Sequence, residues 1–184
     1  MAAYHTVLVH FPIALFMTAT LAILLRAVSD GPLAVAVDRA LVPLMAVGLA
    51  SGAIAYGIGL LVWPWEAISS TPLGRNHMLL ATWTLAYWAL MLALRWTQGE
   101  SIWNGASRWI MAGLSILGSV LLGISGTLGG HLVGIYTEVS EALRLLGWEV
   151  YTTYYVPNLT LAAIVVATGV LAAIGILGRR QQGS

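Results

Sequence analysis

Long runs of apolar residues constrain this chain more than any other feature of its sequence. Five such runs, each of about 20 residues or more, alternate with short segments that carry most of the arginines and acidic residues. A helix of about 20 apolar residues spans the hydrocarbon core of a bilayer. Only 8% of the 184 residues are charged, whereas a soluble domain has about a quarter. The chain is therefore predicted to be an integral membrane protein.

The predicted spans give an all-α fold class, an integral membrane helical bundle. The runs lack the two-residue alternation of barrel strands, so helices are the expected spanning form. The spans are predicted near residues 4–28, 36–63, 73–96, 109–132 and 157–178. We expect a four-helix membrane core over residues 1–135, an outer-face interfacial segment over 136–156, and a fifth transmembrane helix with a short tail over 157–184.

The segment between the fourth and fifth spans has an amphipathic pattern. Its apolar residues recur at helical spacing, and its charged residues fall on the opposite face. The apolar set is Val139, Leu143, Leu146 and Val150, and the charged set is Glu138, Glu141 and Arg144. This pattern predicts a short helix that lies on the outer membrane surface. A plain connector is the alternative interpretation.

Arginine placement predicts the orientation of the chain. With five spans, one side of the membrane receives Arg26, Arg39, Arg95, Arg108, Arg179 and Arg180, and the other receives Arg75 and Arg144. Basic residues favour the cytoplasmic side of short loops. We therefore expect a multi-pass protein of the plasma membrane, with its N-terminus outside and its C-terminus in the cytoplasm.

Composition excludes several classes of function. The chain has no cysteine, which excludes disulfides, thiolate-bound iron–sulfur clusters and covalent c-type haem. Its formal net charge of +1 gives no basis for nucleic-acid binding. Nucleotide-binding loops, nucleophile elbows and zinc-protease motifs are also missing. The sequence thus favours an electron-transfer subunit over a stand-alone enzyme, on the strength of its histidines.

Histidine is the residue type that suggests chemistry. Up-down threading places the histidines at one end of the bundle, which is predicted to be the outer end; they are His5, His10, His77 and His131. Neutral imidazole is a ligand for iron, copper and zinc, and two histidines on facing helices can hold a haem iron axially. The alternative is that each ring is an interfacial residue satisfied by water, backbone or lipid.

Local patterns refine this prediction. Pro12 blocks a regular helical turn, so an irregular start of the first helix can bring both His5 and His10 inward. Small residues follow one another on the fourth helix at Ser115, Ser119, Gly123 and Thr127, and His131 continues that series; Gly48 and Gly52 form a similar pair on the second helix. Small residues let helix backbones approach closely, or they leave room for a flat cofactor.

The first functional hypothesis is a b-type cytochrome subunit with one or two b haems. His10 and His77 are the predicted axial ligands, because the first and third helices of a four-helix core face each other diagonally. His5 and His131 are then a second ligand pair, or contacts to the haem propionates or to quinol, and Arg75 pairs with a propionate. Met17 is a weaker axial candidate. Such a subunit relays electrons between quinol and an extracytoplasmic partner inside a larger membrane complex.

Two other hypotheses stay open. One is a non-redox membrane anchor or assembly subunit, whose histidines are structural. The other is a copper or zinc site at the outer face, with His5, His10, His77 and His131 as its ligands. Imidazoles without a thiolate suit Cu(II) or zinc.

Three motifs of this chain resemble a known bacterial family. Residues 5–15 read HTVLVHFPIAL, His77 begins the third helix, and residues 129–133 read GGHLV. In these features residues 4–135 resemble the predicted membrane proteins called domain of unknown function 2231. That family usually has glutamate at the position of His131, and the fifth helix is an addition to its usual four.

The resemblance implies an architecture more than an activity, because the function of the family is not established. It implies a bacterial inner-membrane protein with a four-helix core. Some relatives are joined to Rieske-type iron–sulfur domains, and this association is what favours respiratory electron transfer among the hypotheses above.

Overall fold

The computed structural model describes residues 2–154, 159, 162–167, 169–171 and 173–174. Within these residues the helices long and apolar enough to cross a membrane are Tyr4–Val28, Pro32–Val62, Pro72–Trp103 and Ser107–Leu132. They confirm the prediction of an all-α membrane bundle. Ten of the 22 residues of the predicted fifth span, 157–178, lie outside the described ones, and the pieces of it that are described are helical.

The described helices are α1 (Ala2–Leu8), α2 (His10–Val28), α3 (Pro32–Arg39), α4 (Leu41–Val62), α5 (Trp65–Ser69), α6 (Pro72–Gln98), α7 (Ser107–Leu132) and α8 (Glu138–Leu145), and a short 3₁₀ helix (Gly99–Trp103) continues α6. The first span breaks at Val9, between α1 and α2. Pro12 explains this break, because it has no N–H for the carbonyl of Leu8 and its ring crowds that carbonyl. The interruption is small, because Val9 keeps α-helical dihedrals (φ −63°, ψ −22°) and the first helix spans Tyr4–Val28.

The four long helices form a bundle in which α2 and α6 lie diagonally opposite each other. Each of these two helices packs against both α4 and α7. In the centre of the bundle Phe16 of α2 stacks on Trp88 of α6, with ring centroids 4.6 Å apart and planes within 8° of parallel. Both side chains are fully buried. The diagonal arrangement expected for the first and third spans is confirmed.

Glycines on α4 and α7 make room for this central stack. A Cβ atom at Gly48 would lie 2.7 Å from a ring carbon of Phe16, and one at Gly118 would lie 3.2 Å from Trp88. The small residues of α7 serve different purposes. The Ser119 hydroxyl lies 2.7 Å from that of Thr20, whereas Gly123 is exposed and a Cβ there would meet nothing within 4 Å.

One end of the bundle, which we call the arginine end, is closed by a network of charges. Asp38 is 1% exposed and accepts two hydrogen bonds from Arg95, at 2.9 and 2.8 Å. Arg26 approaches the same carboxylate at 4.0 Å, and Glu100 lies 3.1 Å from Arg95. Both buried guanidinium groups lie over the ring of the buried Trp103, 5.6 and 6.0 Å from its centroid. These contacts fix the ends of α2, α3 and α6 relative to one another.

A helix also forms in the segment after α7. Helix α8 covers most of the predicted amphipathic stretch, and its Leu143 is buried together with Leu128 of α7 and Trp148. Helix α8 is thus packed onto the bundle through Leu143, whereas Val139 of the predicted apolar face is 39% exposed. Its position at the membrane surface stays a prediction.

Candidate functional site

The opposite end of the bundle, which we call the histidine end, contains a cavity of about 280 Å³. This volume is close to the lower limit of small-molecule sites. Its walls come from α1, α2, α4, α6 and α7, and they consist mainly of apolar side chains and glycines. Phe16 lines the cavity from the side of the central stack. Three predicted site residues, His5, His10 and His77, line this cavity.

The ring of His5 is held against α4. Its Nδ1 lies 2.8 Å from the carbonyl oxygen of Ala55, and a Cβ at Gly59 would come within 2.8 Å of its Cε1. The indole of Trp63 meets it edge-on at 5.3 Å. A carbonyl oxygen only accepts hydrogen bonds, so Nδ1 donates and Nε2 of the neutral ring keeps its lone pair.

The ring of His77 has the same environment on α7. Its Nδ1 lies 3.0 Å from the carbonyl oxygen of Ser125, and a Cβ at Gly129 would come within 2.8 Å of its Cε1. Nδ1 is again the donor, and Nε2 is again the nitrogen with a lone pair. In both cases the ring rests on a glycine one helical turn beyond the carbonyl that it contacts.

These matched environments belong to an internal repeat. The first half carries His5, Phe16, Gly48, Ala55 and Gly59, and the second half carries His77, Trp88, Gly118, Ser125 and Gly129 at an offset of about 70 residues. The two halves cross the bundle in the same sense, as in parallel repeats related by an axis along the membrane normal. The same spacing of histidine, aromatic residue and glycines is visible in the sequence. It is the signal that could have identified His5 as the counterpart of His77.

His10 occupies the edge of the cavity. It is exposed, and its Nδ1 lies 2.7 Å from the carbonyl oxygen of Thr6 in the preceding turn. The predicted axial pair of His10 and His77 therefore combines a ring at the rim with a ring in the wall. The geometry favours His5 over His10 as the partner of His77.

The structure does not bring His131 into the cavity. Its Nδ1 lies 2.8 Å from the hydroxyl of Tyr151, and the ring of Tyr136 meets it edge-on at 4.9 Å. These three residues line a separate recess with Glu138 and Glu149. Partial desolvation and a hydrogen bond with Tyr136 raise the pKa of Tyr151, so this hydroxyl stays protonated at neutral pH. His131 thus belongs to this separate recess and not to the cavity.

The remaining predicted site residues lie outside the cavity wall. Arg75 is exposed, and its guanidinium lies 5.9 Å from the ring centroid of Tyr154. Met17 is 42% exposed. Neither is among the described residues that line the cavity.

His5 and His77 supply the ligand type that a cofactor with two imidazole ligands would need, and both line one cavity. A metal-bound histidine usually donates its second ring nitrogen to a carbonyl or carboxylate, as His5 and His77 do here. Within the described residues, no three histidine, cysteine or acidic side chains converge in a way that could hold a metal ion. A haem is larger than the enclosed volume, so a bound haem would have to displace part of the cavity wall.

Comparison with known proteins adds a family. The family model described as a predicted membrane protein (DUF2231) matches residues 2–139, which include the four histidines and the four long spans. No curated protein and no solved structure matches the chain significantly.

Proposed function

Because this chain belongs to the DUF2231 family of predicted membrane proteins, whose description names no activity, we propose its function from the histidine end. The proposed function is a b-type cytochrome-like subunit that relays electrons between quinol and an extracytoplasmic redox partner. One observation carries it: His5 and His77 face one apolar cavity with Nδ1 bound to a carbonyl and Nε2 available.

In this proposal the axial ligands are His5 and His77, which replace the pair of His10 and His77 inferred from sequence. A bound haem would supply one-electron redox chemistry. The carbonyls of Ala55 and Ser125 orient the two rings and make their Nε2 atoms better donors to iron. The glycines beside the rings let them lie close to the walls. A single matched pair lines the cavity, so the expected stoichiometry is one haem per chain.

Polar residues at the same end would complete the site. Arg75 belongs to the first turn of α6 and lies outside the cavity wall, so it would pair only with a propionate that extends out of the cavity. His10 lies at the cavity edge, where it is available to a second molecule. His131 would stay a structural residue of the outer recess.

The distribution of arginines supports the orientation within this proposal. The arginine end carries Arg26, Arg39, Arg95 and Arg108, whereas Arg75 lies at the histidine end. The arginine end would therefore face the cytoplasm and the histidine end the outer side of a bacterial inner membrane. Electrons would be exchanged with a partner subunit or protein on that outer side.

An absorption spectrum of the purified protein tests the proposal. We expect a Soret band, a sharp α-band after dithionite reduction, and one haem per chain by pyridine haemochrome assay. His5→Ala and His77→Ala should each lose most of the haem, and added imidazole should restore part of it. His10→Ala is the matched control and should retain haem.

The other outcomes are equally informative. Full haem content in His5→Ala would contradict the ligand assignment. A colourless protein with stoichiometric copper or zinc would support a metal site in place of haem. A colourless protein without metal would leave a membrane anchor or assembly subunit.

A further inference from the structure

The internal repeat differs at two pairs of positions beside the cavity. Tyr56 follows Ala55 on α4, and its counterpart after Ser125 on α7 is Gly126. Likewise Thr82 and His10 lie five residues after His77 and His5, respectively. The two sides of the bundle therefore carry a tyrosine with a threonine on one side, and a glycine with a histidine on the other.

This difference closes one side of the cavity and leaves the other open. Between α4 and α6 the Tyr56 hydroxyl lies 2.9 Å from that of Thr82 and bridges the two helices. Between α2 and α7 a Cβ at Gly126 would meet only Ile13, at 3.9 Å. Gly126 and His10 are both exposed and both line the cavity. The exposed lining at Gly126 and His10 thus places an edge of the cavity between two membrane-spanning helices, α2 and α7.

The chemistry of this opening restricts what can enter. The exposed residues of the lining are His10, Leu60, Gly126, Val133 and Ile135. Among the described residues that line the cavity none is Asp, Glu, Lys or Arg, so a charged headgroup would find no partner there. His10 donates Nδ1–H to the carbonyl of Thr6, so its Nε2 accepts a hydrogen bond. A suitable occupant is apolar, reaches the site from lipid and offers a hydroxyl.

We infer that the opening between α2 and α7 admits the ring of a lipid-soluble quinol, whose hydroxyl donates a hydrogen bond to Nε2 of His10. The choice of a quinol among hydroxylated lipids rests on the proposed electron-transfer function. Binding itself does not require haem. Since Nε2 is an acceptor, the site should bind the quinol more tightly than the corresponding quinone, which has only acceptor oxygens.

The test uses the purified full chain in nanodiscs, with decylubiquinol and decylubiquinone as probes in anaerobic equilibrium dialysis. Gly126→Tyr restores the tyrosine that closes the other side, and we expect it to weaken quinol binding about tenfold or more. The matched control is Gly123→Tyr, one turn away on an exposed position where a Cβ meets nothing within 4 Å. This control should bind as the parent does.

A second variant keeps the inference testable if Gly126→Tyr does not fold. His10→Phe leaves an apolar ring at the opening but removes the acceptor, so it should abolish the preference for quinol over quinone. A photoreactive azidoquinone should label peptides that contain His10 or Gly126. Labelling elsewhere, or equal binding by the parent and Gly126→Tyr, would overturn the inference.

Haem content measured on the same samples separates the two proposals. Quinol binding that Gly126→Tyr blocks in a protein without haem would support the opening and contradict the cytochrome function. If the protein contains haem and neither substitution changes quinol binding, the cytochrome function would be supported and the opening contradicted.

Discussion

The two ends of this bundle differ in how their buried polar residues are paired. At the arginine end Asp38 is surrounded by Arg26 and Arg95, and Trp103 fills the remaining space. At the histidine end the polar groups are imidazole rings that each use one nitrogen on a backbone carbonyl. The arrangement at the arginine end leaves little space for another molecule. The other end leaves a cavity and a lone pair on each ring.

The contrast follows from the cost of burying charge. A buried ion is tolerated only when opposite charges and hydrogen bonds surround it, so the groups of such a network are committed to one another. A neutral imidazole with one satisfied nitrogen can face an apolar cavity at a much lower cost. We conclude that the arginine end holds the helices together and that the histidine end is where a ligand can bind.

The largest expected effect tests the stabilising role of the arginine end. Asp38→Ala leaves two guanidinium groups without their buried carboxylate, and should lower the free energy of unfolding by about 3–5 kcal/mol. The measurement is reversible unfolding in mixed micelles with increasing SDS. Asp30→Ala, at an exposed partner of Arg26, is the control and should have a much smaller effect. An Asp38→Ala protein as stable as the parent would remove the distinction between the two ends.

The next effect tests the binding role of the histidine end. Gly59→Ala and Gly129→Ala each place a Cβ 2.8 Å from an imidazole carbon, so the ring must move. We expect haem content to fall severalfold and stability to fall by about 1–3 kcal/mol. Gly123→Ala, in open space, should retain haem and gain up to about 1 kcal/mol from helix propensity. Equal haem content in all three variants would contradict the proposal that Gly59 and Gly129 position the histidine rings.

A smaller effect sharpens the comparison of the two sides of the cavity. Tyr56→Phe removes the hydroxyl that bridges α4 and α6 through Thr82. Interhelical hydrogen bonds in membranes contribute about 0.6 kcal/mol on average, so we expect a loss of that order in the same SDS titration. The variant should also let the azidoquinone label α4 or α6 peptides. Labelling confined to α2 and α7 would show that the bridge does not close that side.

The smallest effect is a pH dependence at the arginine end. Hydrogen bonds from Arg26 and Arg108 hold the pKa of Asp30 below its ordinary value of 3.8. Asp30 therefore adds stability above pH 3.8, and that contribution is lost as the pH falls through the lowered folded-state pKa. The free energy of unfolding, measured between pH 3 and 7, should fall more steeply with acid in the parent than in Asp30→Asn. Parallel curves would show that these hydrogen bonds contribute nothing to the free energy of unfolding.

The sequence predicts the four confirmed spans well, because lipid imposes length and apolarity on each of them. The break near Pro12 and the clustering of histidines at one end were predictable for the same reason: proline chemistry and up-down threading are local rules. The carboxylate network at Asp38 was not anticipated. It depends on how α3 folds back beside α2, which no run of apolar residues specifies.

The rotation of each helix about its own axis could not be predicted. A helix surrounded by lipid and protein is apolar on all sides, so it lacks the polar face that reveals orientation in a soluble protein. His10 therefore looked as suitable as His5, and His131 looked like a member of the same cluster. The repeat that relates His5 to His77 carries the missing information, since equivalent helices present equivalent faces.

The stack of Phe16 on Trp88 has a consequence for the direction in which protons can move. Two fully buried aromatic rings lie across the middle of the bundle, between the cavity and the charged network. A file of water molecules from one end of the bundle to the other would have to pass these rings, so we expect the protein to keep the membrane tight to protons. A proton released from an occupant of the cavity would therefore leave on the same side as the histidines.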